Sequence, residues 1–277
     1  MLQRTLFLLT FFIVGARTNA QWMDSYVQQG ELGIAVGAGH YFGDLNTRAA
    51  LNRPKIAGGI FFRKQMNNYI SLKLSANYAA LGYSDTYSKN ETQQRRNLSF
   101  NTNVWELAIS GEFNFFKFYP GVEGYNFTPY VSLGVGLFSY DPYAYLGGEK
   151  YRLRGLGTEG QGSSLYPGRT PYGSTALCIP LAVGMKYAIS PKVNIFGEVG
   201  YRFTNTDYLD DVSLTYAPDA FDPASVAYLL QDRSYETGTT PIGIKGRQRG
   251  NSSQNDGYAM VLVGISFNLS SYRCPKP

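Results

Sequence analysis

Beyond residue 30, apolar side chains alternate with small or polar ones at period two, the pattern of strands that present two different faces. Eight segments follow it, at about 30–42, 54–64, 69–81, 103–118, 128–140, 177–188, 193–203 and 258–269. The last sets Ala259, Val261, Val263, Ile265, Phe267 and Leu269 on one face against Met260, Leu262, Gly264, Ser266 and Asn268 on the other. The third sets Ile70, Leu72, Leu74, Ala76 and Tyr78 against Ser71, Lys73, Ser75 and Asn77. The fourth sets Trp105, Leu107, Ile109, Phe113 and Phe115 against Glu106, Ala108, Ser110, Glu112 and Asn114.

The connections alternate in length. Residues 43–53, 82–98, 141–176 and 205–256 are long and polar, whereas the turns around 65–68, 119–126 and 190–192 are short. Such alternation is expected when one barrel rim faces the periplasm and the other the outside. The pattern therefore predicts an all-β fold, an eight-stranded antiparallel transmembrane β-barrel with short periplasmic turns and long extracellular loops. A soluble lipocalin-like barrel would show the same alternation in the opposite sense. The polar faces decide between them: Glu31, Arg63, Lys73, Glu106, Glu112, Lys186, Glu198 and Arg202 lie sparsely among Gly, Ala, Ser and Asn, which suits a narrow lumen better than a solvated exterior. Eight strands leave an interior that side chains just fill, so a plugged barrel with paired charges is expected. A short helix is expected within 223–231.

Composition supports this reading. Of 277 residues only 16% are charged, with 23 Tyr, 17 Phe and 31 Gly. Soluble domains carry roughly 25% charged residues, and abundant aromatics argue against disorder. No apolar run reaches the roughly 18 to 20 residues of a spanning helix. Residues 1–20 read as a secretory signal peptide: Arg4, an apolar run from Leu6 to Val14, then small residues Thr18 and Ala20, with cleavage expected after Ala20. Residues 21–277 would then form one outer-membrane barrel domain of a Gram-negative bacterium. Loss of Arg4 and Arg17 takes the formal charge from +5 to +3, which favours neither nucleic acid nor acidic substrates.

Candidate chemistry is thin. His40, the one histidine, sits near the outer end of the first strand, where a lipid-facing rim histidine is what a lipid-modifying barrel enzyme needs; no GxSxG nucleophile motif accompanies it. Asp207, Asp210, Asp211, Asp219 and Asp222 offer oxygen ligands for calcium without EF-hand spacing, and read as a solvated acidic loop. Gly155, Gly157, Gly160 and Gly162 lack the GK[ST] of a phosphate loop and read as a tightly turning surface loop. Lys150, Arg152, Arg154, Lys245, Arg247 and Arg249 are placed to meet lipopolysaccharide at the outer rim. Tyr140, Tyr143, Tyr145 and Tyr151 read as an interfacial girdle together with packing among the long loops. Cys178 falls at the outer end of strand six and Cys274 in the periplasmic tail, too far apart for a disulfide. No catalytic, cofactor-binding or metal-binding residue is assigned.

Four stretches carry a resemblance: Tyr41 to Asn46 (YFGDLN), Phe127 to Tyr140 (FTPYVSLGVGLFSY), Leu156 to Gly162 (LGTEGQG) and Tyr208 to Ser213 (YLDDVS). Together they resemble the ring-associated outer-membrane barrel family of the type IX secretion system (PorG-like, DUF6089). The resemblance implies a non-enzymatic barrel that anchors or stabilises the periplasmic ring, with the ring lipoprotein and its ring partner as partners. Alternatives from other classes are a lipid-modifying barrel enzyme, an adhesin-like surface barrel and a small-solute porin. The expected contact face comprises Gln21 to Gly30, the three short turns and the tail Ser271 to Pro277, with Trp22 and Cys274 to Pro277 as test positions.

Overall fold

A computed structural model describes residues 27–271 apart from 239; the expected signal peptide, Trp22 and Cys274 lie outside this range. Residues 29–269 form one unit, which holds the barrel and its loops. The described residues form ten strands: β1 (Val27–Phe42), β2 (Lys55–Gln65), β3 (Ile70–Ser84), β4 (Ser99–Asn114), β5 (Phe127–Ser139), β6 (Tyr143–Leu146), β7 (Glu149–Arg152), β8 (Thr175–Ala188), β9 (Val193–Thr204) and β10 (Gly257–Ser271). Eight of them close a ring, β1-β2-β3-β4-β5-β8-β9-β10 and back to β1, with every registered neighbour antiparallel. Closure leaves no strand edge, the condition for strands to cross a bilayer.

The alternation read from the sequence fixes which side each residue takes. Val36, Ile60, Leu107, Val135, Val183 and Val263 stand exposed on the outside of the wall, while Glu31, Arg63, Ser75, Glu112, Ser132 and Ser266 are buried inside. An exposed apolar belt of this kind would be unstable in water and is what a hydrocarbon core solvates. Small residues allow the wall to curve tightly: a Cβ on Gly37 would collide with the Val261 carbonyl of the neighbouring strand. At the short-turn rim, Gly121 and Gly124 adopt φ of +88° and +82° and shape the 115–126 turn.

The structure departs from the sequence reading in two places. The fourth strand is Ser99–Asn114, shifted outward by four residues from 103–118. Polar Asn101 and Asn103 resemble loop, yet they pair with Gly82 and Ala80 of β3 as the β3–β4 ladder continues to Ser84 and Ser99. A crossing strand needs about 9–11 residues, so these strands of 15 and 16 residues project beyond the membrane. The second departure is the hairpin β6–β7, inside the expected 141–176 loop and attached to β4 through Tyr143 and Asn101. Its strands have four residues each, too few for periodicity to register. Among the described residues, short α-helices decorate the long loops: α1 (Glu91–Arg96), α2 (Leu153–Leu156) and α3 (Val226–Gln231). The last falls within the expected 223–231, with Ser225 accepting from the Tyr228 amide as its cap. None of the described helices is long and apolar enough to cross a membrane.

Candidate functional site

All eight charged residues assigned to the lumen are buried, and they meet in two layers. In the inner layer the Arg63 guanidinium donates to Glu31 at 2.6 Å and to Glu112 at 3.1 Å, and its Nε lies 2.6 Å from the other Glu112 oxygen as an ion pair. Lys73 bridges Glu198 at 2.6 Å and Glu112 at 3.3 Å, and the Tyr130 hydroxyl donates to Glu198 at 2.9 Å. The Lys186 ammonium lies over the Phe118 ring, 4.8 Å from its centre. In the outer layer Glu106 accepts from Arg202 (3.1 Å), Tyr258 (2.6 Å) and Asn77 (2.7 Å). Between the layers lies a cavity of about 20 Å³, lined by Lys73, Asn77, Glu106, Glu198 and Arg202 among others, room for about one water molecule. A lumen filled in this way, among the described residues, matches the plugged interior with paired charges expected of eight strands.

Above the outer layer, three of the four resemblance motifs converge on a buried cap. The Tyr41 hydroxyl donates to Asp210 at 2.5 Å and to Asp256 at 3.0 Å. Asp44 accepts the Asn251 amide at 2.7 Å. Glu159 accepts the backbone amides of Ser213 (2.9 Å) and Leu214 (3.0 and 3.1 Å), and pairs with Arg249 at 3.1 Å. Asp211, at φ +68°, accepts from Thr158 and from Tyr172 at 2.6 Å. Arg249 also donates to the Asp211 carbonyl (2.5 Å) and the Gln231 carbonyl (3.0 Å), while Arg96 grips both oxygens of Asp85 and reaches the Arg249 carbonyl at 2.6 Å. Four separate loops are thereby tied to one another by charge-assisted bonds.

Burial sets the protonation of this cap. It pushes Asp207 up to about 7, offset in part by Ser213 nearby; neither carboxylate oxygen meets a donor in good geometry. It pushes Asp211 up to about 6 against the pull of Arg249. Asp210 and Asp256 are raised well above the usual carboxylate range by burial, and then by neighbouring acids: Asp256 and Asp44 for Asp210, Asp207 for Asp256. Beside the cap opens a cleft of about 330 Å³ lined by Asp44, Gln93, Arg96, Tyr216, Arg247 and Asn251 among others.

Several residues singled out in the sequence take other roles in the structure. His40 is buried, not lipid-facing: its Nε2 lies 2.6 Å from the Ala50 carbonyl, and its ring packs edge-on to Phe42 and Tyr83. The β1–β2 loop covers it, an event no local pattern announces. The aspartates do not gather around a common point, and they are not a solvated loop, since Asp207, Asp210 and Asp211 are buried; Asp219 pairs outside with Lys245 (2.6 Å), and Asp222 caps the Ala224 amide (2.9 Å). Among the described residues no three His, Cys, Asp or Glu side chains could hold a metal ion together. Gly157, Gly160 and Gly162 adopt positive φ, as a tightly turning loop requires. Arg249 leaves the expected rim set because it is buried beside Glu159. Arg152 and Arg154 pair with Asp141, and Tyr140 is buried. Cys178 is a buried free thiol whose Sγ lies 3.9 Å from Glu106. Sequence reasoning missed Glu159, Arg249 and Asp256 as cap residues; only the LGTEGQG motif hinted at the first.

A closed ring of eight antiparallel strands, an apolar outer belt and a packed polar lumen define an outer-membrane β-barrel fold. The chain belongs to the family described as Domain of unknown function (DUF6089), whose model matches residues 4–157, more than half of its length. No curated protein matches it. Among solved structures it is similar to the N-terminal β-barrel domain of Pseudomonas aeruginosa OprF, at 12% identity over 87% of this chain and 100% of that one with a TM-score of 0.37. It is also similar to Neisserial surface protein A, at 10% identity over 87% and 97% with a TM-score of 0.43. A major outer membrane protein from Thermus thermophilus shows 11% identity over 87% and 99% with a TM-score of 0.40. The strand pairing, not these distant likenesses, carries the fold.

Proposed function

We propose that the protein is a non-enzymatic barrel of the type IX secretion system that holds the periplasmic ring, its lipoprotein and that lipoprotein's partner, at the outer membrane. The resemblance carried by YFGDLN, LGTEGQG and YLDDVS supports the system, and the filled lumen supports a scaffold over a conduit. The observation that carries the contact face is the 115–126 turn at the periplasmic rim. Phe116, Val122 and Tyr125 stand exposed there, although the turn is held by the Tyr119 and Tyr125 amide–carbonyl bond of 2.9 Å and by the edge-on packing of those two rings. Apolar groups presented on a rigid turn at the short-turn rim support a contact with a protein partner there.

Affinity purification of the tagged barrel from native outer membranes, with mass spectrometry of what accompanies it, tests this. Recovery of the ring lipoprotein and its partner is expected, and a Val122→Asp, Tyr125→Ser variant is expected to lose most of it. A barrel recovered alone, ion conduction in planar bilayers, or a lipid-modifying activity abolished by His40→Ala would each replace the scaffold reading.

A further inference from the structure

The outer half of the wall is not uniformly convex. A depression of about 830 Å³ crosses it, lined on the membrane side by Val36, Ile56, Ile60, Trp105, Leu107 and Leu137, with the small Ala76 and Gly58 among its lining. Its far ends reach Ser139 and Thr175, where β5 and β8 meet the long-loop rim, so it lies in the leaflet facing outward. Trp105 and Tyr78 pack at 4.9 Å between ring centres, and the Tyr78 hydroxyl donates to Asn103 at 3.0 Å, placing the polar boundary directly above.

Three cations stand at that boundary around the projecting β3–β4 ladder. Lys55, next to Ile56 in sequence, donates to Asn101 at 2.5 Å. Tyr143 pairs with that same Asn101, and the Lys150 ammonium lies 3.7 Å from the Tyr143 ring centre. The Arg53 guanidinium lies 3.8 Å from the ring centre of Tyr87, just past the end of β3. None of the three has a carboxylate within ion-pair distance among the described residues, whereas Arg152, Lys245 and Arg233 elsewhere on the loops are paired. An apolar trough capped by unneutralised cations is complementary to a molecule with acyl chains and phosphates at one end.

We propose that this trough and the Arg53, Lys55, Lys150 cluster bind a phosphorylated, multiply acylated glycolipid of the outer leaflet, the lipid A portion of lipopolysaccharide. One acyl chain lies against Ile56, Ile60, Trp105 and Leu107, and a phosphate meets the cations. Charge complementarity selects this occupant over neutral lipid, and the position of the trough in the outward leaflet selects it over inner-leaflet phospholipid.

Trp105 reports on the site directly. The chain has two tryptophans, so a Trp22→Phe protein leaves Trp105 as the single emitter. Full-length Trp22→Phe protein in mild detergent is titrated with bisphosphorylated lipid A, with dephosphorylated lipid A, and with phosphatidylglycerol. A saturable change in Trp105 emission is expected with the first, at concentrations well below those needed for the other two. Reversing the cations one at a time, Arg53→Glu, Lys55→Glu and Lys150→Glu, is expected to weaken binding by roughly fivefold for each cation removed, or more; Lys245→Glu, at an already paired lysine, leaves it unchanged. Ala76→Phe, which fills the trough, abolishes the response. Equal responses to all three lipids, no response at all, or cation variants that bind as the parent does would overturn the proposal. So would Trp105 being covered by a second copy of the chain, seen as a concentration-dependent emission change without lipid.

Discussion

Replacing Arg63 by Met removes the charge at the centre of the inner lumen layer while keeping most of the side-chain stem. Arg63 is 1% exposed and holds two carboxylates, Glu31 at 2.6 Å and Glu112 at 2.6 and 3.1 Å. Breaking a buried pair by removing one partner costs about 3–5 kcal/mol, because the remaining charge is left without compensation. Two contacts survive here and place the expectation at the lower end: Lys73 stays 3.3 Å from Glu112, and Ser266 donates to Glu31 at 3.0 Å. A loss of about 3 kcal/mol corresponds to a shift of about 150-fold in the folding equilibrium. Denaturant titration of the barrel refolded into lipid vesicles, followed by heat-modifiable mobility on gels, measures it. Adding Glu112→Gln to Arg63→Met removes one of the two carboxylates that Arg63 had held, and with it their mutual repulsion, and is expected to restore at least half of the loss. A cost below about 0.5 kcal/mol, the range of an ordinary surface substitution, or a double variant no more stable than the single one, would refute the view that these pairs are desolvated and decide stability.

Three further outcomes follow from the same geometry. Tyr41→Phe removes both bonds to Asp210 and Asp256 and is expected to cost about 1.5–3 kcal/mol, seen as faster limited proteolysis within 205–256 but not within the strands. Because Asp207 and Asp211 titrate near 7 and 6 in the folded cap against an ordinary 3.8, the folded cap holds protons that the open chain has released. The contribution of these two groups to cap stability is therefore fully present below about pH 4 and is lost as pH rises through about 6 to 7; hydrogen exchange in 205–256, corrected for intrinsic rates, should be slower at about pH 5.5 than at about pH 8, with Asp207→Asn reducing the difference. Cys178, 2% exposed on the inner face of β8, should react with maleimide at least roughly a hundredfold more slowly in the folded barrel than after unfolding; equal rates would contradict its placement.

The barrel was legible because each crossing strand must satisfy lipid on one side and a crowded lumen on the other, so alternation persists through residues such as Val261, Leu262, Val263 and Gly264. The identity of the lumen charges was legible for the same reason: Glu112 between Gly111 and Phe113 can face only inward. What escaped was whatever depends on distant chain meeting distant chain. Arg249 and Glu159 are 90 positions apart, and neither has a local pattern that distinguishes a buried partner from a solvated rim charge. His40 occupies an outward-facing register position, and only the return of Ala50 over it changes its surroundings. The outward shift of β4 was hidden because Asn101 and Asn103 sit above the membrane, where a strand no longer needs an apolar face.

The eight lumen charges also bear on how the barrel is assembled. Glu31, Arg63, Lys73, Glu106 and Glu112 arrive with the first four strands of the ring and leave that half with one surplus negative charge; Lys186, Glu198 and Arg202 arrive later with one surplus positive charge. Arg63 finds both of its partners early, but Lys73 acquires Glu198, and Glu106 acquires Arg202, only when β9 is in place. The interior charges sum to zero once β8 brings Lys186, but their pairing is complete only in the finished ring. A nascent sheet stopped before β9 would present Glu106 without Arg202 and Lys73 without Glu198, and the cost of desolvating such incompletely paired charges opposes insertion before the ring is finished.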